Sequence, residues 1–218
     1  MLRKSIFLLI AAILLIAATQ LWAEPKPSGR VEALRGTVSF ERAGKLEDLK
    51  AGDPVFIKDR IITGAESAAE IVFVDQSRMK LAANTDLEIT GYLYDPAGKI
   101  RQGLISLTSG KARFAVEDLH GFNDRRFRVQ TRTAVVGSRD TDFIVAYDQE
   151  LARDEVCRDG LTAALCLENS IIVTGLEFPD KPALLSANMI SRVCGPDFPT
   201  PPRFATAAEL ARILAGVD

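Results

Sequence analysis

Arg126, Arg128 and Arg132 are the residues whose type and spacing suggest chemistry most directly. Even-numbered spacing places side chains on one face of an extended strand. Arg125 stands beside them, and Lys111 and Arg113 fall on an expected neighbouring strand. Guanidinium forks pair with carboxylates and phosphates, so the chemistry on offer is recognition of an anionic partner or ligand, such as an acidic protein patch or an anionic polymer. The more ordinary reading is a solvated strand face balanced by the chain's 29 acidic residues.

Other reactive types give less. His120 is the only histidine and sits in a turn-like link, Leu119-His120-Gly121-Phe122, without a metal-ligand pattern. Asp53, Asp75, Asp86, Asp140 and Asp142 would make a calcium site if they converged. Each lies at an expected turn, however, where aspartate bonds the local backbone. No G-x-S-x-G, H-E-x-x-H, C-x-x-C or phosphate-cradling glycine loop occurs. The sequence therefore assigns no catalytic residue, metal ligand or cofactor, and a non-enzyme is expected. A carboxylate pair of the glycosidase kind is not legible in a sequence, because it forms only in three dimensions.

The arginines must be positioned by residues 127–147, FRVQTRTAVVGSRDTDFIVAY. Phe127, Val129 and Thr131 alternate with the charged set, and Phe143, Val145 and Tyr147 alternate with Ile144 and Ala146. Between them Ala134, Val135 and Val136 run into Gly137 and a polar connection, so the stretch reads as strand, corner, strand. Short strands recur along the chain at roughly ten-residue spacing, each bounded by Gly, Asp, Asn or Pro. Residues 70–74 and 78–81 form an expected hairpin around Asp75-Gln76-Ser77. Residues 87–94 read as a half-buried strand with Gly91 as a bulge or a point of close approach, and 104–108 and 112–116 as two strands either side of Gly110. Residues 161–167 and 171–174 read as a second hairpin, followed by strands at 182–186 and 189–193. Pro196, Pro199, Pro201 and Pro202 end the series. A capping box, Thr206 with Glu209, opens one short helix with Ala207, Leu210, Ile213, Leu214 and Val217 on its apolar face. The fold class is all-β, a sandwich- or roll-like body of mainly antiparallel strands with one C-terminal α-helix.

The chain opens with Arg3 and Lys4 and an apolar run at 6–18, the layout of a secretory signal peptide with a cut after Ala23. The alternative is a retained anchor holding an outward-facing domain to the inner membrane. Without Arg3 and Lys4, 25 basic residues face 29 acidic ones, a balance with no long-range pull on nucleic acid. The expected organisation is signal peptide 1–23, linker 24–30, all-β domain 31–195, and a Pro-rich segment with the helix at 196–218. An exported chain can hold a disulfide. Of Cys157, Cys166 and Cys194, the pair Cys157–Cys166 is favoured on proximity. Cys166–Cys194 is the competitor, and three buried thiols are the remaining alternative.

Several separated motifs keep a common order: Gly36-Thr37-Val38, Gly52-Asp53, Ile62-Thr63-Gly64, Ser67-Ala68-Ala69-Glu70-Ile71, Asp75-Gln76-Ser77 and Asn84-Thr85-Asp86-Leu87-Glu88-Ile89. Gly110-Lys111-Ala112-Arg113, Phe127-Arg128-Val129 and Thr133-Ala134-Val135-Val136-Gly137-Ser138-Arg139 complete them. In this order, over about residues 31–147, the chain resembles the FecR domain of bacterial envelope proteins. The resemblance implies an all-β extracytoplasmic module, periplasmic, that works through protein or ligand contacts. Because few residues precede the apolar run, it implies a stand-alone exported module without a sigma-binding segment. A structural or surface-polymer-binding protein, using the arginines or an exposed Tyr92 and Tyr94, is the alternative. The family usually has glycine where this chain has Gln76 and Asp140, so the motif corner Gly137, Arg139, Asp140, Thr141 is expected to be bent differently or held by a side-chain bond at Asp140.

Overall fold

A computed structural model describes residues 25–148, 157 and 159–218. The expected signal peptide lies outside the described residues. No helix among those described is long and apolar enough to cross a membrane.

Among the described residues, alternating side chains and frequent turn residues produce seventeen strands. In chain order these are β1 (Gly29–Arg35), β2 (Val38–Arg42), β3 (Lys45–Asp48), β4 (Pro54–Val55), β5 (Arg60–Thr63), β6 (Ala68–Phe73), β7 (Arg78–Leu81), β8 (Asp86–Asp95) and β9 (Ile100–Ala115). They continue as β10 (Phe127–Gln130), β11 (Ala134–Ser138), β12 (Asp142–Asp148), β13 (Leu161–Cys166), β14 (Ser170–Gly175), β15 (Ala183–Ser186), β16 (Met189–Cys194) and β17 (Arg203–Phe204), before helix α1 (Ala207–Leu214). The expected all-β class with one C-terminal helix is what the chain adopts.

Two layers face each other. In sheet A the order is β4-β1-β6-β7-β9-β12-β13-β16-β17. In sheet B it is β3-β2-β5-β8-β9-β10-β11-β14-β15. All pairs are antiparallel except β9 with β10. Strand β9 belongs to both layers. Its first part pairs with β8 and β10, and its last part with β7 and β12. The two strands expected around Gly110 are thus one long strand bent at that residue. The inner faces of both sheets merge in one core, with Ile71, Phe73, Phe114 and Phe143 from sheet A against Ile61, Leu87, Ile105 and Val129 from sheet B.

Crossings between layers correct a further expectation. Strands β13 and β14 do not form a hairpin, since β13 pairs with β12 and β16 in sheet A while β14 pairs with β11 and β15 in sheet B. Likewise β15 and β16 lie in different sheets. A short link reads as a hairpin turn in sequence, yet in a sandwich it can equally carry the chain across the core. The Gly91 bulge is present, as the register shifts between Ile89 and Gly91. Its effect is to invert the alternation beyond it. Tyr92 is therefore buried, not exposed, stacked at 4.4 Å on Phe73, and Leu93 faces out.

Helix α1 carries both halves of its capping box. It covers the outer face of sheet A, where Ile213 and Val217 join Ile144, Leu165 and Ile190 in a second apolar cluster. The amino group of Lys111 donates to the carbonyls of Arg212 and Ala215 at the helix end, where a cation is favoured. Arg113 pairs with Asp142 at 2.6 Å. Lys111 and Arg113 therefore serve sheet A and its helix, and they do not extend the arginines of β10.

The disulfide joins Cys157 to Cys194, with Cα atoms 5.0 Å apart, and replaces the expected Cys157–Cys166 pair. Register explains the change. Leu161 pairs with Cys194, so the segment before β13 arrives at the end of β16. Cys166 closes the far end of β13, opposite Phe143, and strand rise puts it roughly 17 Å from Leu161. It is a free, buried thiol that donates to the Glu168 carbonyl at 3.2 Å, and burial pushes it up to about 11. Native protein is accordingly expected to show no thiol reactive toward an aromatic disulfide reagent at pH 8, and denatured protein to show Cys166. Peptide mapping without reductant should recover linked Cys157 and Cys194 peptides. Reduction is expected to cost about 2–4 kcal/mol, given the sequence separation of 37.

Candidate functional site

Strand β10 turns Phe127 and Val129 into the core and leaves Arg128 and Gln130 exposed, as is Arg126 just before it. Its neighbours set a row across the outer face of sheet B. Arg128 pairs with Leu104 on one side and Gly137 on the other, Gly137 with Ile172, and Ile172 with Leu184. Gly137 contributes no side chain, and a Cβ added there would approach only the Ile172 carbonyl, at 3.9 Å. The result is a groove of about 460 Å³, with Arg128 on one side of Gly137, Ile172 and Leu184 on the other, and Arg126, Arg139 and Asp140 also in its lining.

The arginines divide in their partners. Arg126 is held by Asp124, Nε to Oδ1 at 2.8 Å, and this bond keeps the Asp124 carboxyl well below the usual carboxylate range. Among the described residues, Arg128 and Arg139 have no side-chain partner. Arg132 does not join them. It points beside Thr131 and Tyr147 into a separate cleft and lies 3.6 Å from Asp159. The sequence motif thus splits, with two of its three arginines in the groove and Arg139 added from the corner.

Beneath the groove lies a polar cluster that sequence reading missed. Arg101 is fully buried on β9, and its Nη1 lies 3.1 Å from Asp75. Asp75 also accepts from Tyr92 Oη at 2.6 Å, from Ser77 Oγ at 2.9 Å and from the Ser77 backbone at 3.0 Å. Burial, and then the Asp75 charge, raise the Tyr92 hydroxyl well above its ordinary range, so it stays protonated and donates to Asp75. Nη2 of Arg101 donates to the carbonyls of Arg125, at 2.9 Å, and Arg139. Nε alone finds no partner among the described residues. The guanidinium therefore ties the 75–77 turn to the segment before β10 and to the corner after β11. A signal existed: Arg101 shares its phase with Gly103, Ile105 and Leu107, the inward positions of β9.

The motif corner is held by backbone acceptors. Asn169 donates to the Asp140 carbonyl at 2.7 Å, and Thr141 Oγ1 to the Ser170 carbonyl at 3.0 Å. Asp140 keeps an ordinary negative φ, and its carboxylate lies 3.7 Å from Arg125. The strain falls at the other departure, where Gln76 adopts φ 70° in the 75–77 turn with its side chain exposed. Gln76→Gly is expected to raise stability by about 0.5–1 kcal/mol, read as an increased urea midpoint with unchanged slope.

The remaining candidate carboxylates have local or cationic partners. Asp53 accepts from the Lys50 backbone at 2.8 Å, and Asp86 pairs with Arg60 at 2.6 Å. His120 is exposed and lies 2.8 Å from Asp118. None of these five aspartates gathers with the others into a cluster able to hold a metal among the described residues.

Residues 59–159 match the family described as FecR protein, from β5 through the groove strands β10 and β11 to the segment before β13. No curated protein matches the chain. Two crystal structures of a "putative anti-sigma factor" from Parabacteroides distasonis are similar in fold, with TM-scores of 0.52 and 0.53 at 22% identity. Each alignment covers 72% of this chain and only 65% or 64% of the other, less than two thirds of its length.

Proposed function

We propose, on the premise that residues 59–159 carry a FecR domain, that this chain is a non-enzymatic signalling module of the bacterial envelope. The match over the groove strands is the observation that carries this reading. The description of the structural relatives as anti-sigma factors supports signalling through protein contacts. In this reading the chain is exported, with residues 1–23 as its signal, and works on the periplasmic side. Its contact surface is the outer face of sheet B around Arg126 and Arg128, set on a rigid β body.

Arg126 and Arg128 are exposed, so replacing both by Gln should change stability by no more than about 0.5 kcal/mol. Mild crosslinking in envelope extracts followed by affinity recovery is expected to yield a defined protein with the wild-type chain. The double variant should recover at least tenfold less. Equal recovery by both, or retention on cell-wall material in place of a protein, would contradict the reading.

A further inference from the structure

We propose that the groove over Gly137 receives an extended segment of the partner protein in which an acidic residue stands next to an aliphatic one. This rests on the reading of the sheet B face as the contact surface and adds the chemistry of what it contacts.

Three observations converge. Arg128 and Arg139 reach the groove without a side-chain partner among the described residues, so its positive side is left for an external carboxylate. Opposite them Ile172 and Leu184 are neighbours in register and are 50% and 62% exposed, an aliphatic pair on the solvent side of a sheet. Between the two, Gly137 leaves a notch in which a backbone can approach the sheet. A segment lying over β11 meets Arg128 on one flank, aliphatic groups on the other, and Arg139 just past the end of the strand.

The same groove disfavours other occupants. Asp140 at its rim repels a continuous polyanion, whereas a short segment with one carboxylate avoids it. The aliphatic flank is of no use to a purely charged polymer. Arg126, already held by Asp124, defines the groove and leaves the recognition charge to Arg128 and Arg139.

Fluorescence anisotropy with the exported chain and labelled synthetic peptides tests this. Gly-Glu-Val-Leu-Gly is expected to bind at least tenfold more tightly than Gly-Gln-Val-Leu-Gly or Gly-Glu-Ser-Ser-Gly. Arg128→Glu and Leu184→Asp should each weaken it at least tenfold. Gly-Lys-Val-Leu-Gly should bind Arg128→Glu better than it binds the wild type. Lys45→Glu, on the distant edge strand β3, should change nothing. Equal binding of the three peptides, equal competition by polyglutamate, binding only to phosphatidylglycerol vesicles, or self-association through this face would each overturn the proposal. Should the extract experiment recover a partner in an arginine-dependent way while the peptides are not distinguished, the contact surface stands and the peptide chemistry fails. If neither experiment responds to the arginines, both fall.

Discussion

Asp75→Ala is expected to destabilise the protein by about 3–5 kcal/mol, the usual cost of removing one partner from a buried ion pair. For a domain of this size that lowers the melting temperature by on the order of 10 °C. The size of the effect follows from what is left behind. Arg101, fully buried, would lose its counter-charge, and the Tyr92 hydroxyl and both Ser77 donors would lose their acceptor. Arg101→Met should cost a similar amount, because Asp75 would then be the unpaired charge. The double variant Asp75→Ala with Arg101→Met should recover a substantial part of the summed loss, since neither charge is then stranded. Urea unfolding of the four proteins gives the coupling directly. Simple additivity would show that the pair is not the unit holding the turn, the pre-β10 segment and the corner together.

Gly110→Ala is the second large loss, about 4 kcal/mol from two sources. Gly110 has φ 89°, which costs a side-chain-bearing residue roughly 1–3 kcal/mol. An added Cβ would also stand 2.5 Å from Thr85 Cα and 2.6 Å from the Asn84 carbonyl. Both are backbone atoms, and relieving such an overlap costs about 1–3 kcal/mol. The strain would sit where β9 passes from sheet B to sheet A, so the two layers should lose their mutual register. Calorimetry is expected to show a large drop in melting temperature, with Gly91→Ala as the contrast, since a Cβ there meets nothing within 4 Å. A Gly110→Ala protein within 1 kcal/mol of wild type would mean that β9 is not bent by this residue.

How much of this was legible in the chain depended on whether the signal was local. Strand alternation at 127–130 and 142–148, the Gly91 bulge and the Thr206–Glu209 capping box are decided within a few residues, and each is present. What failed was partner choice. Residues 161–175 contain two correctly read strands, but no local feature says that one belongs to each sheet. The cysteines failed for the same reason, because β13 and β16 bring Cys194 to Cys157 through register, while proximity in sequence favoured Cys166. Of the candidate contact residues, Arg126 and Arg128 share the groove by strand phase, whereas Arg132 belongs to another cleft and Arg139 enters from the corner. Asp140, expected to bend the corner differently or to hold it through a side-chain bond, is not among the residues with positive φ. The exposed Gln76 carries the left-handed conformation.

The proposed function requires this β body to present the outer face of sheet B to a protein partner. Site-specific photocrosslinking in cells tests it most directly. A photoreactive residue at position 128, 139 or 184 is expected to give a discrete protein adduct, while the same residue at the exposed positions 47 or 74 gives none. Adducts confined to 47 or 74, or the same adducts from every exposed position, would contradict it.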